Sequence, residues 1–272
     1  MPPDYESASF WEARFERETH FEWLGDGRST ILPVVRDYLE EQKRRVEKHP
    51  EEAGNGGVLH IGAGTSTLGE ALVDLYHAHF GIGEQEKEKP VVVNTDFAQQ
   101  AVTRGSQHTK DGAEVWERVD LLQWADCADL LGRRGRFGVV VDKSTSDAVS
   151  CGADVLFHVG EDKGVHPALR GEGEEGGEVR MGPLEVLAVH LASLVQLGGV
   201  WVVLSYSKDR FAWLSTAKID ITRFWTLSSV KSVEAPWSGE KQGNVHLPRI
   251  EHWLYVLRRT DVDIDVDVAA QN

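Results

Sequence analysis

The stretch Val58-Leu59-His60-Ile61-Gly62-Ala63-Gly64-Thr65-Ser66 constrains this chain more than any other. Its first residues read as a buried strand, its glycines as a tight turn, and Thr65 or Ser66 as the start of a helix. Gly62 and Gly64 remove the Cβ atoms that would keep a ligand off the backbone. The first N–H groups of the following helix then face that ligand and favour negative charge. Two later stretches are built alike. Val91-Val92-Val93-Asn94-Thr95-Asp96 reads as a strand ending in a carboxylate suited to a ribose diol. Val139-Val140-Val141-Asp142-Lys143 reads as a strand ending in a charged pair. Strands with polar residues at their carboxyl ends are what an open α/β sheet needs to receive a nucleotide there.

The rest of the chain alternates in the same way. Ile31, Val34, Val35, Tyr38 and Leu39 recur with helical spacing behind Ser29 or Thr30, and that helix should stop near Pro50. Leu68, Leu72 and Leu75 mark the helix after the glycine turn. The polar loop 81–90 lengthens the first strand–helix–strand unit beyond the ~20 residues usual between a glycine turn and its ribose acid. Short helices or strands are expected at 97–103, 115–119 and 137–141. Residues 151–183 break the pattern, with 171–177 almost wholly Gly and Glu, and such a stretch predicts a flexible loop. A helix follows at 184–197, an apolar strand at 200–206, a helix at 208–219 and an antiparallel pair at 230–234 and 252–258. Alternating strands and helices predict an α/β fold, a mostly parallel sheet with helices on both faces.

Composition narrows the function. The formal net charge of −15 argues against non-specific nucleic-acid binding, although Arg133, Arg134 and Arg136 form a local basic cluster. No apolar run approaches the ~20 residues that span a bilayer, and residues 1–6 lack the pattern of a secretory signal. Two cysteines, Cys127 and Cys151, fit a reducing compartment and form no metal pair. These features predict a cytoplasmic protein that leaves membranes alone, with the nucleus also open. His60, alone on its strand, reads as a core histidine.

Several motifs together carry a resemblance. They are Phe10-Trp11-Glu12-Ala13-Arg14-Phe15, Phe21-Glu22-Trp23-Leu24-Gly25-Asp26, the glycine turn, and Asp142-Lys143-Ser144-Thr145-Ser146-Asp147-Ala148. Over roughly residues 9–258 the chain resembles a seven-β-strand, or class I, S-adenosylmethionine-dependent methyltransferase. Within that class it is similar to the methyltransferase-13-like group, which includes elongation factor 1A lysine methyltransferases.

The resemblance implies a Rossmann-like sheet of seven strands with an antiparallel closing strand. It divides the chain into an N-terminal aromatic lid and helix (1–57), a methyltransferase domain (58–260) with the insertion 151–183, and an acidic tail (261–272). It implies S-adenosylmethionine as cofactor and S-adenosylhomocysteine as product. Gly62 and Gly64 would lie against the cofactor, Asp96 would accept from its ribose hydroxyls, and Phe97 would cover its adenine. Asp120 and Leu121 would hold the adenine edge, and Lys143 would meet the methionine carboxylate. Trp11, Phe15 and Trp23 would form the lid, and Asp142 would act in catalysis by orienting an incoming amine.

Plainer readings stand beside these. Asp96 also suits a helix cap, Asp120 a surface turn, Lys143 an ion pair with Asp142, and the aromatics simple packing. The resemblance implies a protein acceptor, a lysine or an N-terminal amine, with elongation factor 1A as the model partner. A small-molecule methyltransferase and a non-enzymatic binding module of the same fold are the alternatives.

Overall fold

The computed structural model describes residues 3–18, 21–49, 56–81, 90–109, 112–158, 166–170, 178–215, 221–236, 241–242, 245–246 and 249–264. Its centre is a seven-stranded sheet. In chain order the strands are β1 (Val58–Ile61), β2 (Val92–Asp96), β3 (Glu114–Arg118), β4 (Phe137–Lys143), β5 (Val155–His158), β6 (Glu178–Met181), β7 (Val195–Ser205), β8 (Trp225–Glu234), β9 (Lys241–Gln242), β10 (Val245–His246) and β11 (Glu251–Arg259). The large sheet runs β3-β2-β1-β4-β7-β11-β8. Its first five strands pair in parallel, and β11 pairs antiparallel with both β7 and β8. The antiparallel strand is therefore inserted next to the edge, and β8 forms the edge itself. β9 and β10 make a separate short ladder.

The helices are α1 (Ala8–Arg17), α2 (Ile31–Lys48), α3 (Leu68–Phe80), α4 (Gln99–His108), α5 (Trp124–Arg134), α6 (Thr145–Val149), α7 (Pro167–Arg170) and α8 (Pro183–Leu194). They cover both faces because the strands bury side chains both ways. Val58, Val92, Val139, Val141 and Val202 pack on one face with Ile31, Val35 and Leu39 of α2 and Leu68 and Leu72 of α3. Leu59, Ile61, Val93, Val140 and Trp201 pack on the other with Trp124 and Leu130 of α5 and Leu187 and Leu191 of α8. α1 lays Trp11 and Phe15 against Ala98 and Ala101 at the start of α4. His60 is a core histidine. Its Nδ1 lies 2.8 Å from Asn94 Oδ1, and burial lowers its pKa to about 4.

Four sequence expectations are corrected. The insertion 151–183 contains an antiparallel ladder of β5 and β6 and the single turn α7, anchored in the core by Phe157, Leu169 and Met181. Its stretch 171–177 lies outside the described residues. Of the helix expected at 208–219, the described part 208–215 holds a 3-10 turn, Ala212–Ser215, instead; 216–220 lie outside the described residues, and a second 3-10 turn, Ile221–Phe224, follows them. The predicted tail is anchored at its start, because Ile264 is buried in the core, while 265–272 lie outside the described residues. The basic cluster is not free. Arg133 and Arg134 both pair with Glu117, and Arg136 donates to the Ser193 carbonyl. Among the described residues no helix is long and apolar enough to cross a membrane.

Candidate active site

The carboxyl ends of β1, β2 and β4 open into one cavity of about 620 Å³. Its floor is the glycine turn. β1 runs out at Ile61, and the backbone reverses through Gly62 (φ 53°) and Gly64 (φ 56°), a region that side chains rarely adopt. A Cβ on Gly62 would collide with the Thr145 side chain. A Cβ on Gly64 would stand 3.2 Å from the Phe15 ring. The Gly64 N–H donates to Asp96 Oδ2 at 2.9 Å, and the Ala98 N–H donates to Oδ1 at 2.9 Å. Asp96 thus closes the turn before α4, without serving as that helix's N-cap residue, and it also lines the cavity. Burial pushes its carboxyl up to about 6, against the pull of these backbone donors. A carboxylate has about four acceptor positions, so two donors leave room for a ligand's hydroxyls.

The charged pair at the end of β4 divides between two faces. Asp142 is completely buried and is absent from the cavity wall. Its Oδ1 accepts from the N–H groups of Thr145 (2.8 Å) and Ser146 (3.1 Å), and its Oδ2 accepts from the Ser146 hydroxyl and from Trp201 Nε1 (3.3 Å). The expected catalytic role of Asp142 is therefore corrected. Its carboxylate fastens the start of α6 and lies off the cavity wall. Burial raises its pKa to about 6. Lys143 does line the cavity, but its cation is not paired with Asp142. Its Nζ donates to Glu22 Oε2 at 2.7 Å and to the Trp23 carbonyl at 3.0 Å. Burial pulls the Lys143 pKa down, and Glu22 opposes that pull.

The cavity roof comes from the N-terminus. Tyr5, Trp11, Phe15, Phe21 and Trp23 all line it. Trp11 stacks on Phe15 at 5.6 Å, and Trp23 meets Tyr5, Phe21 and Tyr206 edge-to-face. The Arg14 guanidinium already covers ring faces of Phe21 (4.4 Å) and Trp23 (5.1 Å). Glutamates stitch this roof to the sheet. Glu12 accepts from Gln99 N–H (2.6 Å) and Gln100 N–H (2.9 Å), capping α4 from a distant part of the chain. Glu22 accepts from Ser66 Oγ (2.8 Å) and Thr67 N–H (3.1 Å) at the start of α3. Glu6 accepts from Ala153 N–H at 2.9 Å.

Phe97, Asp120 and Leu121 line the wall beyond β2 and β3. Asp120 Oδ1 accepts from Leu122 N–H at 3.0 Å, and burial raises the Asp120 pKa. So every expected site residue except Asp142 reaches the cavity.

The opposite wall holds residues that the sequence reading left without a role. Asp147 accepts from Ser205 Oγ (2.5 Å), Tyr206 N–H (3.1 Å) and Arg210 (2.7 Å), tying α6 to the end of β7. Tyr206 is about half exposed. Asp147 belongs to a quoted motif, and a second carboxylate so close to Asp142 was the available signal. Nothing in the pattern around Tyr206 or Arg210 marks them, because β7 brings them to the site only through sheet order.

The chain is 30% identical over 176 residues to methyltransferase srdJ of Neurospora crassa, a match covering 63% of this chain and 64% of that protein. The chain thus spans less than two thirds of this relative's length. Among solved structures, a SAM-dependent methyltransferase from Anabaena variabilis superposes with a TM-score of 0.50 at 11% identity, over 95% of this chain and 96% of that one. The chain shares the fold of that protein. The N-methyltransferase NodS from Bradyrhizobium japonicum, in complex with S-adenosylhomocysteine, aligns over 92% of this chain and 98% of its own, with a TM-score of 0.43 at 15% identity. No family model matches the chain. On this fold, strand order puts β1, β2 and β4 side by side, and the cavity sits where the direction of winding reverses between β1 and β4.

Proposed function

We propose that this chain is an S-adenosylmethionine-dependent methyltransferase. The observation that carries the reading is the Gly62–Gly64 turn, bonded through the Gly64 N–H to the Asp96 carboxylate on the wall of the 620 Å³ cavity. Asp96 would accept from the ribose hydroxyls with the acceptor positions that its own turn leaves over. Phe97 and Leu121 would enclose the adenine, with Asp120 at its edge. Lys143 would meet the methionine carboxylate with the donor capacity left by Glu22 and the Trp23 carbonyl. Trp11, Phe15 and Trp23 would close the roof and exclude water.

The bound sulfonium supplies an already activated methyl group. The chain's residues therefore need only hold a nucleophile in line with it and keep water out. The charged side chains around the acceptor end are already paired: Asp147 with Arg210, Lys143 with Glu22. An acceptor amine would lose its proton to solvent before it enters, and transfer would rest on proximity.

For the acceptor, the finer proposal is a lysine or N-terminal amine of a protein, with elongation factor 1A as the model partner, acting in the cytoplasm. The net charge of −15 would attract such a basic protein, and Tyr5 and Tyr206 offer aromatic faces to an amine. One observation favours a second reading. Glu6 ties the Tyr5 segment to Ala153 across the acceptor end of the cavity, a wall that suits a small molecule better than an inserted side chain.

The test is methyl transfer from radiolabelled S-adenosylmethionine into a lysate divided into protein, nucleic-acid and small-molecule fractions. Label in one protease-sensitive band, lost with Asp96→Ala, supports the protein acceptor. Label confined to small molecules overturns it in favour of the second reading. Wild-type protein that binds neither S-adenosylmethionine nor S-adenosylhomocysteine overturns the methyltransferase reading.

A further inference from the structure

The loop between β3 and α5 forms one cavity wall through Val119, Asp120, Leu121 and Leu122. The peptide joining Leu121 to Leu122 is held at both ends. Its N–H, on Leu122, donates to Asp120 Oδ1 at 3.0 Å. Its carbonyl, on Leu121, points the opposite way, as a trans peptide requires, and accepts from Nδ1 of His190 at 2.7 Å. The Cys127 thiol leans on the same carbonyl at 3.6 Å, a weak donor at long range.

His190 sits on α8, whose inward neighbours Leu187, Leu191 and Leu194 are apolar. It is almost completely buried, beside the contacting rings of Trp124 (5.6 Å) and His166 (6.0 Å). Its second nitrogen, Nε2, is buried with no hydrogen-bond partner among the described residues. The carbonyl acceptor assigns the proton to Nδ1, and burial lowers the pKa to about 4, so the ring stays neutral at physiological pH. An imidazole in this setting is a poor packing choice. A leucine would fill the space without the unpaired Nε2, but it would leave the Leu121 carbonyl only the weak Cys127 thiol. What the imidazole adds is one bond, and that bond lands on the peptide that orients Asp120.

We propose that His190 is a positioning residue for the adenine end of the cofactor site. By holding the Leu121 carbonyl inward it aims the Leu122 N–H at Asp120, and so keeps the Asp120 carboxylate and the Leu121 side chain on the cavity wall. The inference rests on reading this cavity as an S-adenosylmethionine site.

The experiment is calorimetric titration of wild type, His190→Leu and His190→Asn with S-adenosylhomocysteine and, separately, with adenosine. His190→Leu should weaken both ligands by the same factor, roughly tenfold for one lost buried hydrogen bond, measured on the folded protein below its thermal midpoint. His190→Asn can place an amide N–H near the Nδ1 position and should restore most of the affinity. A purely structural role would lower the midpoint of His190→Leu and leave the affinity of the folded protein unchanged. Unchanged affinity in His190→Leu, with wild type binding normally, overturns the inference and leaves the site reading standing. Wild type that binds neither ligand overturns both. If His190→Leu does not fold, His190→Met, which also lacks the donor, is titrated in its place with the same outcomes.

Discussion

The ends of β2 and β4 invite comparison. Both flank β1, both carry a fully buried aspartate, and burial raises both carboxyls to about 6. Yet Asp96 lines the cavity and Asp142 does not. The difference is one residue of register. Asp142 and Thr95 both stand level with Ile61, whereas Asp96 lies one step further along β2. Side chains alternate along a strand, so Asp96 falls with Val92 on the α2/α3 face, and Asp142 falls with Val140 on the α5/α8 face. Lys143, one step on, crosses back to the cavity face. Two carboxylates of similar burial and pKa therefore take different work, one at the site and one inside the scaffold.

Substitutions at these two positions give the largest effects. Asp96→Ala should abolish measurable binding of S-adenosylhomocysteine, a loss of about 100-fold or more from two charge-assisted hydrogen bonds. Asp142→Ala should instead cost about 3 kcal/mol or more of stability in urea unfolding, because Trp201 Nε1 and the Thr145 and Ser146 N–H groups lose a buried acceptor. If Asp142→Asn abolishes binding while unfolding stays normal, the comparison breaks.

The Lys143 pair sharpens the same contrast on the cavity face. Glu22→Gln leaves a buried cation without its partner and should cost about 3 kcal/mol. Glu22→Gln combined with Lys143→Met should recover part of that loss, read as a coupling energy in a double-mutant cycle.

A smaller effect comes with pH. Both aspartates bind their proton more tightly folded than unfolded, so each contributes stability below about pH 4 that is lost as pH rises through about 6. Asp142→Asn and Asp96→Asn should each flatten part of that slope. Only Asp96→Asn should also flatten the fall in cofactor affinity expected as acidification through pH 6 neutralises Asp96.

The smallest effect separates the two glycines. Gly62→Ala meets both a strained φ and the Thr145 side chain, whereas Gly64→Ala meets a strained φ and only the edge of Phe15. Gly62→Ala should lower stability by about 1–3 kcal/mol and Gly64→Ala by less, as differential scanning calorimetry would show.

Much of the fold is legible without coordinates. The strand expected at 91–96 is Val92–Asp96, because a buried parallel strand has to be an apolar run. The glycine turn, α2 and α3 follow from equally local rules. The insertion was misread because β5, α7 and β6 are each four residues long and carry little periodicity. The helix at 208–219 failed because its apolar positions serve tertiary contacts of Phe211 and Trp213 rather than a helical stripe.

The sequence by itself determined the class of fold and the neighbourhood of the site, since glycine turns, apolar runs and strand-end charges act over a few residues. Only the tertiary structure decided which strand-end charge faces the cavity, because register is a relation between strands distant in sequence. It alone decided that Glu6, Glu12 and Glu22 fasten the roof, that Asp147, Tyr206 and Arg210 close the far wall, and that His190 reaches Leu121 from another helix. Each of these contacts joins residues far apart in the chain, and their geometry exists only once both sides of the core have packed.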